Sequence, residues 1–177
     1  YSQSGGAVAI GNNAGNSGQN SNAIAIGPDA AGTNQGIAAV AIGSSSGGSN
    51  QETGAIALGY GSGQGGHQYS VALGYQAGAA DASRLGDYAI AIGYQAGYTN
   101  TTGTLNTYLG RVAGYSNSTS NANTMIGNNA GYATTGGNNT FVGAVVGTSN
   151  TSGSYNVAVG GTDESTVYSA FRNNSTG

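Results

Sequence analysis

Ala89-Ile90-Ala91-Ile92-Gly93 is the stretch on which the fold turns. Variants of it recur ten times, closing at Gly11, Gly27, Gly43, Gly59, Gly74, Gly93, Gly110, Gly127, Gly143 and Gly160. The steps between these glycines are 16, 16, 16, 15, 19, 17, 17, 16 and 17 residues. So short and even a step is one turn of a solenoid per repeat. The residue before each glycine is branched and apolar: Ile10, Ile26, Ile42, Leu58, Leu73, Ile92, Leu109, Ile126, Val142 and Val159. Two residues earlier the first six repeats carry Val8, Ile24, Val40, Ile56, Val71 and Ile90, with Ala between. Large, small, large is a period of two in β-branched residues or Leu, which is a short strand. A helix does not fit five residues that end at a glycine every time.

The expected fold is all-β: a parallel β-roll, or solenoid, of about ten turns with a 15–19-residue period. Residues 1–160 form the roll, and 161–177 leave the repeat as an exit segment or cap. Ten strands about 4.8 Å apart make a rod roughly 48 Å long. The bulky residues, Ile90 and Ile92 among them, are expected to ladder inside the coil. The Ala residues are expected to form a flat outer ladder, and the closing glycines to sit at positive φ or at close backbone approaches. A flush, weakly polar face should pair with copies of the chain by rotation. The interface candidates are therefore Ala9, Ala25, Ala41, Ala57, Ala72 and Ala91, continued by Tyr108, Met125 and Phe141.

Those last three mark a change in the repeat. After Gly93 the strands read Asn106-Thr107-Tyr108-Leu109-Gly110, Asn123-Thr124-Met125-Ile126-Gly127 and Asn139-Thr140-Phe141-Val142-Gly143, and Asn156-Val157-Ala158-Val159-Gly160 mixes both forms. Asn at one position of four successive turns is placed to stack as an amide ladder. Whatever the Ala ladder packs against must be roomier in this half. Two tyrosine series also keep register. Tyr60, Tyr75 and Tyr94 follow the closing glycine, and Tyr98, Tyr115 and Tyr132 lie five residues past it. At one-rung spacing their rings should stack. The second series follows the turn glycines Gly97, Gly114 and Gly131, so it belongs at a corner. Stacking alone would stabilise the rod, while Tyr is also suited to protein or glycan contact.

Composition narrows the function classes. The chain has 177 residues, 35 of them glycine, with one proline, no cysteine and no lysine. Disorder is the usual reading of so much Gly, Ser, Thr and Asn, but disorder would not keep Ile or Val in register. A net charge of −3 with no basic patch argues against nucleic acid. No apolar run reaches the length of a membrane span, so no direct insertion is expected of this segment. The chain starts at Tyr1 inside the repeat pattern and is read as a fragment or processed product. Catalysis is not expected. His67 is alone in a Gly/Gln loop, Asp163-Glu164 stands by itself, and Asp81, Arg84 and Asp87 read as a solvated cluster on the longest repeat. No cofactor or metal is expected, since no Gly-Gly-x-Gly-x-Asp series or phosphate loop is present.

Tyr69-Ser70-Val71-Ala72-Leu73-Gly74 and Tyr88-Ala89-Ile90-Ala91-Ile92-Gly93 resemble the head repeat of trimeric autotransporter adhesins, the YadA-like heads. The resemblance covers about residues 5–160. It implies a left-handed parallel β-roll, a side-by-side homotrimer, and exposure on a bacterial outer-membrane surface. The implied function is non-enzymatic attachment to a host cell, matrix protein, glycan or receptor. The Gly93–Tyr98 and Thr101–Thr107 stretches are also similar to repeats of bacteriophage tail-fibre proteins, which implies the same fold in a virion, as receptor-binding segment or spacer. The repeat spacing is longer and less even than in those heads, and no stalk, neck or anchor is visible. An outsider is an ice-binding face, suggested by Thr107, Thr124 and Thr140 in one row.

Overall fold

A computed structural model describes residues 3–65, 68–79 and 86–161. The described strands are β1 (Val8–Ile10), β2 (Ser17–Gln19), β3 (Ile24–Ile26), β4 (Thr33–Gln35), β5 (Val40–Ile42), β6 (Ile56–Leu58), β7 (Val71–Leu73), β8 (Ile90–Ile92), β9 (Thr107–Leu109), β10 (Thr124–Ile126), β11 (Thr140–Val142) and β12 (Val157–Val159). All but β2 and β4 make one parallel sheet of ten strands in sequence order. Register is strict, with Val8 beside Ile24, Ala9 beside Ala25 and Ile10 beside Ile26, and so on to Val142 beside Val159. The chain is thus a parallel β-solenoid. β2 and β4 pair in parallel on a second wall.

Each regular rung bends twice. After the strand, the amide of the third residue past the closing glycine returns to that glycine's carbonyl, as from Ala30 to Gly27 at 3.3 Å. The residue before that donor is left-handed, Asp29 at φ 55°, and Pro28 occupies the preceding position. Proline second and a left-handed residue third is the pattern of a type II turn. A like turn returns the chain to the next strand, with Ala39 bonded to Gly36 at 3.3 Å and Ala38 at φ 55°. The closing glycines are obligatory. At Gly110, φ is 134°, and an added Cβ would lie 2.4 Å from the carbonyl oxygen of Gly127 one rung on.

The two faces of the main sheet are the reverse of the sequence expectation. The small residues point into the coil. Ala25, Ala41, Ala57, Ala72 and Ala91 are at most 1% exposed, and Ala9 at the first rung is partly buried against them. Tyr108, Met125 and Phe141 continue the same interior column at 0–2% exposure. None of these nine interface candidates faces outward as a flat ladder. Ile90 is 38% exposed and Ile92 half-buried, so neither lies inside. The cause is width. Two tight turns in about sixteen residues bring the opposite wall so close that the strand centre admits Ala. An added Cβ at Gly47, on that wall, would sit 2.9 Å from Ala41 Cβ.

Glutamines fill what remains of the early interior. Gln19, Gln35 and Gln51 are buried, and Gln19 Nε2 donates to Gln35 Oε1, as Gln35 Nε2 does to Gln51 Oε1, each at 3.1 Å. Each amide also donates to a strand carbonyl, that of Val8, Ile24 or Val40, at 2.8 Å. These bonds satisfy the amide donors, while Gln19 Oε1, on the first rung of the column, has no partner among the described residues. In the later half the large strand-centre residues pack directly on the glycines four past the closing ones, the position from which Gly47 and Gly63 face Ala41 and Ala57 in earlier rungs. A Cβ at Gly114 would lie within 2.2 Å of the Tyr108 ring, and one at Gly131 would lie 2.4 Å from Met125 Sδ. The Tyr108 hydroxyl crosses to the far wall and accepts from Asn100 Nδ2 at 3.2 Å and Asn117 Nδ2 at 2.8 Å. The asparagines do align in a ladder, but mostly through the backbone: the backbone N–H groups of Asn123, Asn139 and Asn156 donate to Oδ1 of Asn106, Asn123 and Asn139 at 2.9–3.0 Å, and Asn156 adds a side-chain bond from Nδ2 to Asn139 Oδ1 at 3.0 Å.

Candidate functional site

What the interior excludes, the surface carries. The outward face of the ten-stranded sheet holds two apolar columns. One runs Val8, Ile24, Val40, Ile56, Val71, Ile90, then Thr107, Thr124, Thr140 and Val157; the other holds the ten residues that precede the closing glycines. Ile10 is 58% exposed, Leu58 39%, Leu109 42% and Val159 60%, while several mid-rod residues are half-buried. The strip runs over all ten rungs, about 45 Å, with three threonines in its first column and apolar residues throughout its second. Thr107, Thr124 and Thr140 stand there in register, each flanked by Leu109, Ile126 or Val142.

The tyrosine series form columns at the corner after each strand. Tyr60, Tyr75 and Tyr94 stack with centroids 5.4 and 5.3 Å apart and planes within 14°. Tyr98, Tyr115 and Tyr132 stack at 5.2 and 5.1 Å, within 10°. In-register rungs impose this spacing, and aromatic faces attract at it. Both faces of Tyr75 and Tyr115 are therefore occupied by neighbours, so mid-column rings offer edges and hydroxyls outward. Partial burial raises the pKa of the Tyr115 hydroxyl, and the neighbouring phenols Tyr132, Tyr98 and Tyr94 add to the rise because they too would become anions. Tyr94, Tyr115 and Tyr132 line one hollow, so the two columns lie side by side.

Two hollows lie along this corner. One, about 200 Å³, is lined in part by Tyr60, Gln64, Gln76 and Tyr98. A second, about 370 Å³, is lined by Tyr94, Gln95, Arg111, Val112, Tyr115, Asn129 and Tyr132. Its floor residues Gln95, Val112 and Asn129 are left-handed, at φ 49°, 48° and 58°. That conformation is strained for a β-branched residue, and Val112 is held in it by neighbouring rungs, its amide bonded to the Tyr94 carbonyl at 2.8 Å.

A third tyrosine pair was not singled out from sequence. Tyr69 and Tyr88, each 55% exposed, stack at 5.8 Å on the opposite corner. Their equal offset from Gly74 and Gly93 is the signal that places them. Gly54, one rung before, makes room, since a Cβ there would lie 2.7 Å from the Tyr69 ring. The Gln19, Gln35, Gln51 column was likewise legible only as a spacing of sixteen. His67, Asp81, Arg84, Asp163, Glu164, Arg172 and the exit segment beyond Gly161 lie outside the described residues. Asp87 is described and accepts from the Gln68 amide at 3.2 Å. Among the described residues no group of three His, Cys, Asp or Glu could hold a metal, and no helix is long and apolar enough to cross a membrane. No protein-family model, no curated protein and no solved structure matches the chain.

Proposed function

We propose that this chain is the head of a non-enzymatic, extracellular fibrous adhesin, borne on a bacterial surface, that assembles side by side with two further copies and grips a host protein or glycan. The observation that carries the reading is the division of labour on the surface: a mostly apolar strip on the sheet face, and stacked tyrosine columns at a corner. The strip is what a homo-oligomeric rod would bury between chains, and its Val, Ile and Leu replace the Ala ladder as interface residues. The columns would then remain available, with hydroxyl edges in register and rings held rigid at small entropy cost. The resemblance to YadA-like heads supplies the expected number of three.

The test has two readouts. Light scattering on the purified segment should give three chains, and a monomer at micromolar concentration would refute the assembly. Adhesion to matrix proteins, immobilised glycans and bacterial cells should be lost in the combined variant Tyr98→Ala, Tyr115→Ala and Tyr132→Ala while the segment stays folded. Full adhesion by that folded variant would remove the column from the contact surface. A segment that adheres to nothing would reduce the rod to a spacer, and attachment to bacterial cells alone would favour the phage-fibre owner.

A further inference from the structure

The larger groove differs from the rest of the corner by one charge. The column after the closing glycines reads Tyr60, Tyr75, Tyr94 and then Arg111. Arg111 is the one arginine among the described residues, and the chain has no lysine. Its guanidinium carbon lies 6.0 Å from the centre of the Tyr94 ring, at the end of that column, where the ring face is not covered by another tyrosine. Of its five N–H donors, only Nη1 meets a protein acceptor, Asn129 Oδ1, at a long 3.5 Å. It makes no ion pair among the described residues, and no carboxylate lines the groove.

The rest of the groove offers complementary polar atoms. Gln95 Nε2 donates to Gln76 Oε1 at 3.0 Å, and Gln95 Oε1 has no partner among the described residues. Asn129 Nδ2 likewise makes no bond among the described residues. Tyr115 and Tyr132 close the other side with their ring edges, and Tyr132, the last ring of its column, is 38% exposed. A planar cation with unused forked donors, an amide acceptor, an amide donor and aromatic walls make up the donor set for a hydroxyl-rich ring bearing a carboxylate. Guanidinium pairs with carboxylate through two parallel bonds, and Arg111 lies over the Tyr94 ring at 6.0 Å, within cation–π reach. A groove of about 370 Å³ is at the small end of ligand sites, the size for one or two sugar units.

We infer that the groove between Tyr94–Arg111 and Tyr115–Tyr132 binds an acidic saccharide, with Arg111 as the carboxylate partner. This deepens the adhesin reading and rests on it for the source of the ligand. The carboxylate could be carried by a uronic or a sialic acid, and the two are separated by probe. Calorimetry at low salt would titrate the intact segment with tetragalacturonate, its fully methyl-esterified form, sialyllactose and lactose. At least one acidic sugar should bind at least tenfold more tightly than its neutral counterpart. Arg111→Gln should abolish that difference, and Arg111→Lys should recover part of it, with unchanged melting curves because the side chain is exposed. Two results overturn the inference: acidic and neutral sugars binding alike, or a preference for acid that survives Arg111→Gln. Cell adhesion measured on the same variants keeps the two claims apart. Adhesion that persists where calorimetry has overturned the site leaves the adhesin standing; acid-specific binding lost in Arg111→Gln without any cell adhesion does the reverse.

Discussion

Exchanging a neighbouring pair of strand residues tests the inside-out arrangement of the sheet. Ala91 is 0% exposed, stacked between Ala72 and Tyr108. In Ala91→Asp a carboxyl would enter that column with no donor prepared for it. Keeping it neutral at pH 7 means raising its pKa from about 3.9 by three or more units, at about 1.4 kcal/mol each, so at least about 4 kcal/mol is lost. Domains of this size are stable by about 5–15 kcal/mol and lose about 2–4 °C of Tm per kcal/mol, which makes the fall about 8–16 °C or outright unfolding. Ile92 points the other way, half-buried between Leu73 and Leu109 on the outer strip. The carboxylate of Ile92→Asp stays hydrated in a single chain, and only strand propensity is lost, up to about 1 kcal/mol. Between chains, however, it would face an apolar partner. Circular-dichroism melts over a hundredfold range of protein concentration separate the two, with light scattering alongside. Ala91→Asp should lower Tm equally at every concentration. Ile92→Asp should abolish the concentration dependence and release single chains that retain their sheet signal. If Ile92→Asp unfolded the dilute chain while Ala91→Asp left Tm unchanged, the assignment of faces would be wrong.

Three further outcomes probe the interior and the turns. Tyr108→Phe leaves two buried amide donors short of an acceptor and should cost about 1–3 kcal/mol in chemical denaturation. Burial holds the Tyr108 hydroxyl protonated far above the ordinary tyrosine range, with the bonds from Asn100 and Asn117 opposing only in part. The unfolded chain releases that proton from about pH 10 upward, so the stability it contributes is intact below that pH. It should then fall by about 1.4 kcal/mol per pH unit, a slope that Tyr108→Phe should make shallower. Gly110→Ala should lower stability by about 3 kcal/mol or more, since its Cβ collides with the next rung at a strained φ. Gly5→Ala, with nothing within 4 Å, should leave the melt unchanged. Gln35→Leu removes donors to the Ile24 carbonyl and Gln51 Oε1 and should cost about 2–4 kcal/mol. Hydrogen exchange should then show the loss centred on the amides of β3 and β5, and uniform protection would argue against the glutamine column as an internal brace.

The repeat alone determined whatever depends on register. Equivalent positions of consecutive rungs lie one strand spacing apart, so Gly93 had to meet Gly110, Asn106 had to meet Asn123, and Tyr98 had to meet Tyr115. Strand centres, rung number, the glycine column and both tyrosine stacks follow from counting. The second wall was harder to see, because Ser17-Gly18-Gln19 and Thr33-Asn34-Gln35 lack the alternation that marks a strand. Which side of the main sheet is the inside was not legible at all. A period of two assigns Ile90 and Ile92 to one face and Ala91 to the other, and it reads the same with the faces exchanged. The ordinary preference for large apolar residues inside then points the wrong way. Only the folded rung decides. Its two tight turns, with left-handed residues such as Gln95 and Val112 that nothing in their chemistry announces, draw the walls so close that Ala, paired amides and ring-against-glycine contacts fill the interior. The large aliphatic side chains are left outside, and the groove at Arg111 exists because one turn folds two columns, one and five residues past each closing glycine, around a single corner.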